Sequence, residues 1–154
     1  MLLFDQNLLN KLIRVVEEHS EECCGFVFGH EDGEYRTFTH FMKVDNVSRT
    51  DKRQSFEISS KDYLLAENFA EHSNTKLLGV YHSHPNHPAV PSEYDRIAAL
   101  PYFSYIILSV MNKKFEVIRA WNLHEEVQIF EEAPLSIIYV NQENGYHNHS
   151  NAVA

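Results

Sequence analysis

The chain has 154 residues, 44% hydrophobic and 23% charged, with five glycines and five prolines, the size and composition of one folded domain and not of a disordered or fibrous chain. Thirteen basic against 22 acidic residues give a net charge of −9, which disfavours nucleic acid and anionic membranes as partners. The only two cysteines, Cys23 and Cys24, are adjacent; this excludes a disulfide-stapled secreted framework and fits a reducing cytoplasm.

Leu8, Leu9, Leu12, Ile13, Val15 and Val16 recur at three- and four-residue spacing, which predicts an amphipathic first helix ending near Ser20. Asp5, Asn7 and Asn10 interrupt the apolar run that a signal peptide would keep, and no basic leader precedes it. CGFVFGH from Cys24 is short, apolar and β-prone, and the EDGE turn after it predicts a hairpin into YRTFTHFMKVDNV. A short extended piece at Ser55 to Ile58 precedes a serine cap at Ser59 and Ser60, which opens a second helix running to about His72. KLLGVYHSH from Lys76 reads as a buried strand in mid-sheet. Its successor PNHPAVP must be a loop, because prolines cannot sit in a regular ladder. Ser92 is placed to cap a short helix, SEYDRIAAL; YFSYIILSV and KFEVIRAW then form a strand pair across Met111 to Lys114. VQIF from Val127 and SIIYV from Ser136 predict further edge strands. Residues 141–154 are polar and without periodicity, so a frayed tail is expected after one domain spanning 1–140. No segment approaches the ~18 uninterrupted apolar residues of a membrane span.

His82 and His84 stand two apart at the end of a predicted strand, so both imidazoles share one face of the sheet. Asp95 follows eleven residues later, early in a helix able to return its carboxylate to the strand end. Two imidazoles and a carboxylate suit zinc, and three protein ligands leave a fourth position for water. Catalysis there also needs a base, for which Glu22, at the start of the first predicted strand beside a Cys-Gly step, is the candidate. Ser92 lies one helical turn before Asp95, and its hydroxyl could donate to an oxyanion. Taken alone, these residues fit either a metal site or strand-capping histidines with a solvated Asp95.

The combination of E-x-C-G (Glu22, Cys24, Gly25), H-S-H-P (His82 to Pro85) and S-x-x-D (Ser92, Asp95) resembles the JAMM signature of catalytically competent MPN-domain metallopeptidases. The F-E-I segment at Phe56 and the order of elements are also similar to that family. The resemblance implies an α/β, cytidine-deaminase-like MPN fold with a central mixed sheet flanked by helices. It implies one Zn2+ per chain on His82, His84 and Asp95, Glu22 as general acid/base, and Ser92 polarising the scissile carbonyl. It further implies a cytoplasmic peptidase or isopeptidase that cuts after the Gly-Gly tail of a ubiquitin-like or sulfur-carrier protein. Only the stretch from Arg96 to Phe103 separates Asp95 from the next strand, so the insertion that larger deubiquitinases carry there is missing. An extended substrate tail would add to a strand edge, for which Asn46 to Ile58 is the candidate. Two alternatives are a non-catalytic MPN scaffold, which would not need all five site residues, and a hydrolase removing a small amino-acid adduct from a carrier.

Several other residues read as structural. Cys23 and Cys24 are expected to be buried thiols outside the site, His87 an exposed loop histidine, and Trp121, Phe115 and Tyr105 core aromatics. His147 and His149 repeat the H-x-H spacing in the tail without strand framing or a following acid, which suggests adventitious metal binding. Glu125, Glu126, Glu131 and Glu132 read as a solvated acidic surface.

Overall fold

A computed structural model describes residues 1–141 and 145–152, with Asn141 and 145–152 described by their backbone alone. The elements run β1 (Leu2–Asp5), α1 (Gln6–Glu17), β2 (Cys24–Asp32), β3 (Tyr35–Val44), α2 (Ser60–His72), β4 (Lys76–Pro85), α3 (Glu93–Ala98), β5 (Ser104–Met111), β6 (Lys114–His124), β7 (Ile129–Ala133), β8 (Leu135–Asn141) and β9 (Gly145–Ala152). The described strands form one sheet in the order β7-β6-β5-β4-β2-β3-β1-β8-β9. β1 is parallel to β3 and β8, and β4 is parallel to β5. The remaining neighbours are antiparallel, so the sheet is mixed, as expected.

Helices cover both faces because the central strands alternate between two apolar cores. On one face Leu8, Leu9, Leu12 and Val16 of α1 pack on Phe4, Val27, Phe38 and Leu78. On the other, Ala66 and Ala70 of α2 pack on Phe26, Phe28, Val80 and Tyr105. Small alanines let α2 lie close to the sheet, and its N-cap Ser59 accepts from the Asp62 N–H as the sequence predicts. The register of β4 against β2 shifts between Val27 and Phe28, so β4 carries one extra residue there. Beyond this bulge Val80 faces the α2 side, and alternation carries His82 and His84 to the same side.

Parts of the chain depart from the sequence reading, among them SIIYV from Ser136, expected at an edge, which as β8 lies between β1 and β9. Leu2 to Asp5 form a strand and not the approach to the helix, because they lie between β3 and β8 and are buried on both faces. A continuous apolar run of that kind lacks the alternation that marks a strand. The extended piece at Ser55 to Ile58 joins no ladder; residues 45–59 form a turn-rich loop, so no strand edge for a substrate exists there. Residues 145–152 pair antiparallel with β8 as β9. That pairing uses main-chain groups, which polar residues offer as well as apolar ones, so hydropathy gave no sign of it. The side chains of His147 and His149 lie outside the described residues. Among those described, no helix is long and apolar enough to cross a membrane.

Candidate metal centre

The site lies where β2 begins and β4 ends. Cys24 pairs with His82 across the β2–β4 ladder, and the Ser83 N–H donates to the Cys23 carbonyl at 3.0 Å. Continuing that antiparallel register by one more step sets Glu22 opposite His84. Gly25 makes the close strand approach possible, since a Cβ there would stand 2.0 Å from the Met42 carbonyl oxygen and 2.6 Å from the Tyr81 ring. Asp95 arrives from α3, whose N-terminus is a capping box: the Asp95 N–H donates to Ser92 Oγ at 3.1 Å and the Ser92 N–H donates to Asp95 Oδ2 at 2.8 Å. The proline loop before α3 is fastened to the sheet. Asn86 N–H donates to the Val110 carbonyl, Ser109 Oγ to the His87 carbonyl and Trp121 Nε1 to the Ala89 carbonyl.

Ligand atoms of Glu22, His82, His84 and Asp95 all lie within 4.8 Å of one another, and all four residues are buried. His82 Nε2 is 3.1 Å from His84 Nε2 and 3.1 Å from Asp95 Oδ2, and His84 Nε2 is 3.3 Å from that same oxygen. Neighbouring ligands of a tetrahedral zinc with ~2.0–2.1 Å bonds stand roughly 3.3–3.4 Å apart, so this triangle fits one small cation. The proton count agrees. His84 Nδ1 is 2.7 Å from the Pro88 carbonyl, which only accepts, so the neutral ring's proton is there and Nε2 presents a lone pair. With both rings in the neutral form that ligates a metal, three electron-rich atoms face one another with at most one ring proton, from His82, to share. A divalent cation relieves that repulsion.

Each candidate ligand ring is also held by an aromatic neighbour. Phe56 stacks on His82 with centroids 4.4 Å apart, and His87 stacks on His84 at 4.0 Å. His87, expected as an exposed loop histidine, is thus half-buried against a candidate ligand. Burial alone would raise the Asp95 pKa, but the adjacent His82 ring first, then the close His84 ring and the Ser92 N–H donor, hold it well below the usual carboxylate range. Glu22 is the opposite case. Neither carboxylate oxygen has a hydrogen-bond partner among the described residues, and burial pushes its pKa up to about 8, His84 opposing the rise and Asp95 adding to it. Two carboxyls in one pocket are thus driven apart in proton affinity, the pattern of a fixed anion beside a proton carrier.

Sequence reasoning named all four clustered residues and placed Ser92 beside Asp95. It did not foresee the two stacking rings; their only signal was an aromatic or imidazole at Phe56 and His87 in loops flanking the site. Cys23 and Cys24 are free and buried, and burial pushes the Cys24 thiol up to about 12, so neither offers a thiolate. Tyr105 lies in the α2-side core, with Trp121 packed against it, and Phe115 packs on the α1 side.

Residues 5–124 match the family model for prokaryotic homologs of the JAB domain. The chain belongs to that family. A relative from Pyrococcus furiosus, named desampylase, is 32% identical over 131 residues, covering 84% of this chain and 86% of its own. A desampylase of Haloferax volcanii is 34% identical over 89 residues, 57% of this chain and 62% of its own. A protein of Desulfitobacterium hafniense solved in solution shares the fold with a TM-score of 0.80 at 22% identity, covering 96% of this chain and all of that one. A JAB1/MPN domain protein of Archaeoglobus fulgidus does so with a TM-score of 0.56 at 18% identity, over 87% of this chain and 96% of that one. The expected α/β JAB/MPN fold is therefore the one adopted. The relatives mark the chain as a hydrolase of the JAB family with a buried cluster able to hold a metal.

Proposed function

We propose that the protein is a zinc-dependent peptidase or isopeptidase that cuts after the C-terminal Gly-Gly of a ubiquitin-like or sulfur-carrier protein in the cytoplasm. The observation that carries this reading is the unpartnered, buried carboxyl of Glu22 beside three converging ligand atoms. A structural ion pair has no use for a desolvated carboxylate with nothing to bind, whereas amide hydrolysis needs a proton carrier at that point. The name desampylase, borne by two archaeal relatives, supports a small protein as the adduct removed. The short connection from Arg96 to Phe103 leaves no insertion to select a chain linkage, which favours a single carrier domain as substrate.

In this reading His82, His84 and Asp95 hold the metal, which when bound supplies Lewis acidity and brings water's pKa toward neutrality. Glu22 takes the proton from the attacking water and delivers it to the departing amine. Beside a bound cation the Glu22 carboxyl would titrate below its raised value, toward the range in which it both accepts and returns a proton near neutral pH. Ser92 Oγ accepts from the Asp95 N–H and keeps its own hydroxyl proton, which it donates to the developing oxyanion of the substrate carbonyl.

The test is to incubate the purified zinc-loaded protein with ubiquitin-like and sulfur-carrier proteins extended beyond Gly-Gly, and to follow intact mass. The parent should release the extension and Glu22→Ala should not. Identical behaviour of the two proteins on every substrate would remove the catalytic assignment.

A further inference from the structure

We propose that Asn46 is a positioning residue, which holds Glu22 at the metal cluster by latching the loop of residues 45–59 against the start of β2. This inference rests on the reading of Glu22 as the proton carrier. The reasoning begins with what does not hold Glu22. Its carboxylate makes no hydrogen bond among the described residues, and it precedes the β2–β3 ladder, whose first pair is Cys24 with Val44. No hydrogen bond fixes its carboxyl, which leaves the backbone and the packing around the buried side chain to do so. That backbone is gripped from both sides by a single loop: the Glu22 N–H donates to the Lys52 carbonyl at 2.7 Å, and Asn46 Nδ2 donates to the Glu22 carbonyl at 2.9 Å.

Asn46 also closes the loop that supplies the other grip. Its Nδ2 donates to the Ser55 carbonyl at 3.0 Å, and its Oδ1 accepts from the Ser48 N–H at 3.0 Å and the Glu57 N–H at 3.1 Å. Two carbonyls and two amide hydrogens can be satisfied by one side chain only if it is a carboxamide in this orientation, so all four valences of Asn46 are used. Phe56, held between two of these anchor points, is the ring that stacks on His82. One side chain thus ties the proton carrier and the support of a metal ligand into the same closed loop. The hydroxyls of Ser48, Thr50 and Ser55 bond to one another and fasten the loop tip independently of Asn46, so replacing Asn46 should loosen the grip on Glu22 without unfolding the chain.

Asn46→Asp is the discriminating variant. It keeps acceptors for the Ser48 and Glu57 amides and loses the donors to the Glu22 and Ser55 carbonyls; Asn46→Ala loses both sets. In the zinc-loaded protein, hydrogen exchange of the Glu22 amide should speed up by about tenfold or more in each variant. With a carrier extended past Gly-Gly, kcat should fall by roughly 10- to 100-fold, while KM and zinc affinity stay within about threefold. Unchanged exchange would overturn the proposal, as would a kcat loss matched by lost zinc affinity or by a lower folded fraction. Should the parent cleave no carrier at all, the functional reading fails by itself. The exchange rates then decide the latch alone: faster in both variants upholds it, and unchanged removes it.

Discussion

Ionising Glu22 in the metal-free protein should cost stability, by an amount that the structure bounds. Its carboxyl is buried and unpartnered, and its pKa rises from the 4.5 of an ordinary glutamate to about 8. The folded chain therefore holds a proton that the unfolded chain has released between those values, and stability falls as pH rises through that window. Below about pH 4.5 both states are protonated and nothing is lost; above about pH 8 the loss is complete. At about 1.4 kcal/mol per pH unit, the ceiling is near 5 kcal/mol, and structural relaxation makes a few kcal/mol the working expectation. Asp95 does not interfere, because its pKa is shifted downward and its stabilising contribution is lost only on acidification below the ordinary aspartate value of 3.8. Urea denaturation of the chelator-treated protein at pH 5 and pH 9, for the parent and for Glu22→Gln, isolates the effect of Glu22 and its immediate coupling because titrations away from the cluster are shared. The parent should lose a few kcal/mol more than the variant over that range. Parallel pH dependences would mean that Glu22 is solvated, and the argument from its burial would fail.

His82→Ala and Asp95→Asn should each abolish zinc binding. Zinc at 100 times its Kd stabilises the parent by about 2.7 kcal/mol, and calorimetry should show that gain absent in both variants; a retained gain would place the metal elsewhere. His147→Ala with His149→Ala controls for binding in the tail and should leave the gain intact. Ser92→Ala should lose about 1 kcal/mol of stability as an N-cap and about 10²- to 10³-fold in kcat as an oxyanion donor. Loss of stability with unchanged turnover would leave Ser92 as a cap only. Gly25→Ala should cost about 3 kcal/mol or more by urea denaturation, since its Cβ would fall 2.0 Å from the Met42 carbonyl oxygen; a smaller loss would show that β2 and β3 can part.

The candidate site was legible because its chemistry is written in short stretches at the ends of regular elements. H-S-H at the end of β4 and S-x-x-D at the start of α3 bring three candidate ligands together by strand alternation and a capping box, both of which are local rules. Glu22 needed the strand register as well, and the Cys-Gly step that permits it was visible in the sequence. The loop carrying Asn46 was not legible, because its bonds run from a side chain to backbone groups up to 24 positions away, with no period to betray them. β1 and β9 were hidden for complementary reasons. Leu2 to Phe4 are apolar on both faces and merge with the helix pattern that follows. β9 is polar and joins the sheet through its main chain. His87 could be located in a loop but not on His84, since a stacking contact depends on how the proline loop is fastened to β5 and β6.

Anomalous diffraction from crystals of the zinc-loaded protein, collected on both sides of the zinc absorption edge, addresses the metal centre without recourse to any substrate. The account predicts one strong peak within bonding distance of His82 Nε2, His84 Nε2 and an Asp95 oxygen, with the Glu22 carboxyl beside it but outside its bonding shell. A peak among other residues, or one with Glu22 turned away from the cluster, would contradict it.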